Sequence, residues 1–90
     1  MIDTEPLDVG ETDTDLARVR VETEDATGTR RAYEVSIDPI HVIDGEHIMS
    51  GRRVEPEKRE GERVPAPSEA AWDAAREHFE AEGYEVWRNA

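Results

Sequence analysis

Acidic side chains outnumber basic ones by 23 to 11 in this 90-residue chain, which gives a formal net charge of -12. Repulsion among so many carboxylates opposes a compact state, and only burial of apolar surface can overcome it. Leucine, isoleucine, valine and phenylalanine together contribute just 16 residues. The composition therefore allows one small domain at most, with a small core.

Whether a chain of this composition folds depends on the salt concentration of the solvent. In dilute buffer, low hydrophobic content and high net charge are typical of disordered chains. Salt near 1 M shortens the screening length to about 3 Å, and excluded ions strengthen apolar burial. Because several segments show regular hydrophobic periodicity, we expect a folded protein whose charge is an adaptation to a salt-rich solvent.

The basic residues are ten arginines and a single lysine, Lys58. Together with the excess of acids, this composition resembles that of small acidic cytoplasmic proteins of salt-loving archaea. The resemblance is compositional and rests on no motif. It implies a cytoplasmic location and no particular activity.

Cysteine is absent, which excludes disulfide scaffolds, thiolate zinc sites and cysteine nucleophiles. The first ten residues contain neither a basic region nor an apolar run, and no stretch of 18 apolar residues occurs. We therefore expect no secretion signal, no membrane span and a cytoplasmic protein.

Residues 1–17 carry six acids and no basic residue, and Pro6 and Gly10 interrupt any period. We interpret residues 1–14 as a mobile acidic tail and residues 15–90 as a single domain. Two alternating segments, residues 16–24 and 30–38, predict a first antiparallel hairpin. Its expected buried positions are Leu16, Val19, Val21, Thr23, Tyr33, Val35 and Ile37.

The segment "HVIDGEH", residues 41–47, carries the strongest local signal. Asp44-Gly45 suits the two positive-φ positions of a type I′ turn, so it predicts a hairpin in which Val42 pairs with His47. In that register His41 and His47 lie on opposite faces. The alternative is a zinc, iron or manganese site with the ligands His41, Asp44, Glu46 and His47. That site needs a longer or bulged turn, so we expect a plain hairpin without metal.

The remaining residues predict a connector, a helix and a strand. Residues 50–67 contain three prolines and two glycines and are interpreted as a strand end followed by a solvated connector. Ser68 is expected to cap a helix that Gly83 ends, with Trp72, Ala75 and Phe79 as its apolar stripe. A short last strand follows around Tyr84.

These elements predict an α+β domain. Its small antiparallel or mixed sheet has four to five strands, with the C-terminal helix packed on one face and the short last strand after it.

Catalytic patterns are missing. No serine lies in G-x-S-x-G, the six glycines are scattered over turns, and no carboxylate pair stands out where acids cover the surface. We therefore expect a non-catalytic protein without a cofactor.

Two arginine-bearing stretches interrupt the acidic background. If they met in space they would bind phosphate or nucleic acid, because arginine forks bind phosphate bidentately. Interleaved acids and weak counterion release in molar salt favour solvated ion pairs instead. The residues of this alternative anion site are Arg18, Arg20, Arg30, Arg31, Arg52, Arg53, Lys58, Arg59 and Arg63.

Trp87 lies on the face of the last expected strand opposite Tyr84 and Val86, so it needs cover from the chain itself or from a second copy. Pairing across a two-fold axis would both close a sheet edge and bury this tryptophan. The preferred hypothesis is therefore a non-catalytic protein-interaction module, with a homodimer left open. Its expected contact residues are Trp87, Tyr84, Arg52 and Arg53.

Overall fold

The computed structural model describes residues 2–12, 14–24, 27–57, 59–63 and 66–87. These residues combine strands with one C-terminal helix, which confirms the predicted α+β class. The elements in chain order are β1 (Asp3–Leu7), β2 (Ala17–Glu24), β3 (Arg30–Ile37), β4 (Val42–Ile43), β5 (Glu46–His47), β6 (Ser50–Glu55) and α1 (Glu69–Ala81).

The main sheet has four antiparallel strands in the order β1-β2-β3-β6, and β4 and β5 form a second, two-stranded sheet. The register pairs Val19 with Val35 and Val21 with Tyr33 across the two central strands. Since paired residues share a face, the apolar positions of both strands lie on one side of the sheet.

Helix α1 covers that side and packs mainly on β2. Its own buried positions are Ala71, Ala75 and Phe79, which recur at helical spacing. The predicted stripe is thus confirmed at two positions, whereas Trp72 is half-buried at the margin of the core. The core consists of Val19, Val21, Tyr33, Val35, Ile37, Ala71, Ala75, Phe79 and Val86.

Both ends of α1 follow the predicted signals. The Ser68 hydroxyl accepts a hydrogen bond from the backbone N–H of Ala71 at 3.3 Å. At the other end Gly83 adopts φ +97°, and its N–H donates to the Glu80 carbonyl at 3.0 Å. The Tyr84 N–H donates to the Phe79 carbonyl at 3.0 Å, completing a Schellman motif.

Strand β1 corrects the prediction of an acidic tail over residues 1–14. Asp3–Leu7 pairs along the outer edge of β2, with Thr4 opposite Val21 and Pro6 opposite Val19. The acids and the proline disfavour a strand locally. The backbone groups of β2 provide the hydrogen bonds, and no local pattern in β1 indicates this pairing.

Strand β6 is longer than the strand end predicted within residues 50–67, since the first six of them form an edge strand. Gly51 lies under the ring of Trp72, where a Cβ atom would come within 2.8 Å of the ring. The side chain of Arg53 points into the protein and is 1% exposed. Glycine and arginine do not suggest a packed strand from sequence, but Gly51 and Arg53 both pack against other parts of the protein.

The predicted last strand is reduced to a single bridge and forms no regular ladder. Within residues 84–87 the only pairing is a single parallel bridge between His47 and Val86. Among the described residues, no helix has the length and apolar character needed to cross a membrane.

Candidate interaction surface

The hairpin β4–β5 has the predicted register. Val42 pairs with His47 and Ile43 with Glu46. Asp44 has φ 51° and Gly45 φ 82°, as the two central residues of a type I′ turn require. The two histidines therefore lie on opposite faces. Within the described ranges, no group of three or more His, Asp or Glu residues is placed to hold a metal ion.

Asp38 holds the segment that leads into this hairpin. Its Oδ1 accepts hydrogen bonds from the backbone N–H groups of Ile40 at 2.8 Å and His41 at 2.7 Å. Its Oδ2 lies 2.6 Å from Nδ1 of His41, and its carbonyl oxygen lies 3.0 Å from Nδ1 of His47. The hydrogen bonds from the backbone and the ring of His41 lower the pKa of Asp38 to about 2. One aspartate thus contacts both histidines.

Sequence reasoning missed this role of Asp38. The available signal was Asp38-Pro39, because an aspartate before a proline favours a turn in which the carboxylate accepts backbone N–H groups.

The chain segment after α1 lies beside β5 and extends the small sheet. The His47 N–H donates to the Glu85 carbonyl at 2.8 Å, and the Trp87 N–H donates to the His47 carbonyl at 2.9 Å. The rings of His47 and Tyr84 meet edge to face, with centroids 6.1 Å apart. Val86, between these hydrogen bonds, is buried in the core.

Side-chain alternation then defines the two faces of this small sheet. Val42, His47 and Val86 share one face, because they pair with one another across the segments, and on that face Val86 is buried whereas Val42 is exposed. The residues that precede and follow them in the sequence lie on the opposite face, which we call the outer face. The outer face carries Ile43, Ile48 and Trp87, together with His41, Glu46 and Glu85.

Apolar exposure is concentrated at this end of the protein. Trp87 is 37% exposed and Ile43 43% exposed, and Ile40, in the turn that Asp38 holds, is 79% exposed. Of the six large apolar side chains exposed among the described residues, only Ile2 and Leu16 lie outside the hairpin region and its neighbouring C-terminal segment.

The other expected contact residues are separated from Trp87. Tyr84 packs against the core from the inner side, and its hydroxyl donates to the Leu16 carbonyl at 3.4 Å. Arg52 and Arg53 are neighbours on β6 and therefore point to opposite faces of the main sheet. The structure brings no single surface together from these four residues.

The open face of the main sheet, opposite α1, carries four of the predicted arginines among acids, namely Arg18, Arg20, Arg30 and Arg52. Arg18 lies 2.9 Å from Asp15, and Arg52 lies 3.3 Å from Glu34. Arg20 lies 2.6 Å from Glu55. Each guanidinium is thus already paired with a carboxylate.

Apart from Arg30, the remaining residues of the predicted anion site lie elsewhere. Arg30, at the start of β3, pairs with Asp3 and Glu22 on the open face. Arg31 is half-buried beside it, Arg59 and Arg63 are exposed in the loop after β6, and Lys58 lies outside the described residues.

Arg53 lies on the helix side of the main sheet and donates through Nη1 to Glu62 at 3.0 Å. Its Nε and Nη2 have no hydrogen-bond partner in the part of the chain that the structure describes. Glu62 also accepts a hydrogen bond from the backbone N–H of Arg59 at 3.0 Å. The hydrogen bond from Arg53 and then that from Arg59 lower the pKa of Glu62 to about 2.

Comparison with known proteins gives no relative from which a role could be transferred. No family model, curated protein or solved structure matches this chain.

Proposed function

We propose that this protein is a non-catalytic interaction module that pairs with a second copy of itself through the outer face. The observation that carries the proposal is the exposure of Trp87 and Ile43 on that face. A chain with so few large apolar residues leaves several of them in water at one end. Burying such side chains is the main driving force of association, and tryptophan is enriched among residues that dominate interface energies.

A two-fold arrangement suits this face. In an isologous contact the same surface serves both partners, so Trp87 of one copy can pack against Ile43 and Ile48 of the other. Glu46 and Glu85 share the face. The carboxylates of the two copies then repel in dilute buffer, so association is expected to strengthen as salt screens them.

The arginine-based alternative, a regulator that binds nucleic acid or another anion, has less support. Arg18, Arg20 and Arg52 already pair with carboxylates, and Arg53 is buried on the other side of the sheet. In the part of the chain that the structure describes, no cluster of arginines forms a positively charged surface without neighbouring carboxylates, as phosphate binding would require.

The test is sedimentation equilibrium of the full chain in about 2 M KCl, where the screening length is below about 3 Å. Protein concentrations from about 1 to 100 µM cover association free energies of about 5 to 8 kcal/mol. We expect a dimer for the native sequence. The Trp87→Ala variant should weaken association at least about 30-fold, as truncation of a central interface tryptophan does.

Ile2→Ala is the matched control, because Ile2 is 45% exposed but precedes β1, whose register places it at the end of the main sheet farthest from Asp38 and the outer face. It should dimerise like the native sequence. A monomer throughout this concentration range would refute the proposal, and so would an equal loss of association in the two variants.

A further inference from the structure

A groove of about 600 Å³ runs between β1 and α1. Ile2 and Thr4 form its wall on the sheet side, and Ala70 and Ala74 line it on the helix side. The groove exists because α1 is centred on β2 and approaches β1 only weakly. Alanine side chains are too short to fill the remaining space.

The groove borders an open edge of the main sheet. β1 is the first strand in the sheet order and has β2 as its one neighbour among the described strands. An edge strand presents unpaired backbone N–H and C=O groups on its outer side, which can accept another strand. Backbone pairing sites and an apolar groove thus lie side by side.

Acids flank this edge on both faces of the sheet. Glu5 pairs with Arg20 in the strand register and therefore lies on the open face together with Asp3, whose carboxylate is ion-paired with Arg30. Asp73 and Glu77 of α1 line the groove on the other face. A second β1 strand would bring acids against acids, so this edge is unsuited to pairing with its own copy.

We propose that the edge of β1 and its groove accept an extended segment of another protein in which apolar and basic residues alternate. Strand pairing would direct alternate side chains to opposite faces. The apolar ones then enter the groove beside Ile2 and Ala74, and the basic ones lie beside Glu5. Basic groups at the groove rim also meet Glu77. Pro6 limits the paired length to the first residues of β1.

This inference goes beyond self-association, since the groove shares no residue with the outer face. The probe is the peptide Lys-Val-Lys-Val-Lys-Val, about the usual length of a strand. It is titrated into the ¹⁵N-labelled full chain in about 1 M KCl, where long-range attraction between opposite charges is largely screened. We expect shifts of the backbone amides in β1 and along the groove side of α1. The block peptide Lys-Lys-Lys-Val-Val-Val, with the same composition, should cause no such shifts.

Two variants test the groove. Ala74→Leu fills the space without changing charge and should weaken peptide binding at least about tenfold, because overpacking excludes the incoming side chain. Glu77→Gln removes one exposed charge and should weaken binding about two- to fivefold. Glu57→Gln removes an exposed acid outside the groove and should leave binding unchanged.

Equal binding of the two peptides would overturn the proposal, because attraction would then depend on charge alone. Absence of amide shifts in β1 at millimolar peptide would also overturn it. If Ala74→Leu failed to fold, the comparison of Glu77→Gln with Glu57→Gln would decide. Trp87→Ala should bind the peptide normally, so loss of the dimer and loss of the groove site are distinguishable.

Discussion

At the residue scale, Arg53 occupies the most demanding environment, since a guanidinium is normally solvated. Its side chain is almost fully enclosed, and Glu62 supplies its one carboxylate partner among the described residues. A buried cation that loses its counter-ion is strongly destabilising. The burial of Arg53 therefore depends on a glutamate in the loop after β6.

We predict that Glu62→Gln lowers the free energy of unfolding at neutral pH, measured by urea denaturation in about 2 M KCl, where surface pairs are screened. Glu60→Gln, two residues away and exposed, should change it little. Similar unfolding curves for the two variants would contradict the assigned role of Glu62.

The pH dependence follows from the same pair. The pKa of Glu62 in the folded protein is about 2, below its ordinary value of 4.5. Its contribution to stability is therefore complete above pH 4.5 and is lost as the pH falls toward 2. We therefore expect the free energy of unfolding, measured as a function of pH, to decline less between pH 4.5 and 2 for Glu62→Gln than for the native sequence.

At the scale of elements, the sequence predicts structure well where the signal is local. Ser68 and Gly83 mark the ends of α1, and Asp44-Gly45 sets the register of β4–β5. The edge strands β1 and β6 depend on pairing with β2 and β3, and their own residues favour neither strand nor burial. Alternation placed Trp87 on the face opposite Tyr84 and Val86, where cover by the chain or by a second copy was expected. Its exposure and its position beside β5 did not follow from the local pattern.

At the scale of elements, we predict the effect of replacing Gly51 in β6 by alanine. A Cβ atom there would lie 2.8 Å from the Trp72 ring and 3.0 Å from Pro67, which is buried. Gly51→Ala should therefore cost about 1 to 3 kcal/mol of stability, as overpacking does. Gly10→Ala is the control, because a Cβ atom at Gly10 meets nothing within 4 Å. Thermal unfolding of the two variants should differ clearly, and equal melting temperatures would contradict the close packing of β6 against α1.

At the scale of the whole molecule, the net charge of -12 is distributed over a sheet that α1 covers on one side only. The open side is held by ion pairs such as Arg20 with Glu55, and the other side by apolar contacts. Salt weakens exposed pairs but also relieves the repulsion among all the unpaired carboxylates. Because acids exceed bases about twofold, the relief of repulsion should dominate.

We predict that the urea midpoint rises steeply between about 0.1 and 1 M KCl and then levels off, as the screening length falls from about 10 to 3 Å. Potassium sulfate at matched ionic strength should raise it further, since excluded sulfate strengthens apolar burial. A midpoint insensitive to KCl would show that charge repulsion does not limit the stability of this fold.

The central position of β2 also bears on how quickly the chain reaches its native state. β2 contacts β1 and β3, its neighbours in the chain, and the distant helix α1, and the β2–β3 hairpin has the shortest connection. Thr23 and Ser68, 45 residues apart, come within 3.4 Å of each other. Closing such a long loop lowers the entropy of the chain before the contacts between its ends can stabilise it. The hairpin can therefore form early, and docking of the helix is the step expected to set the folding rate.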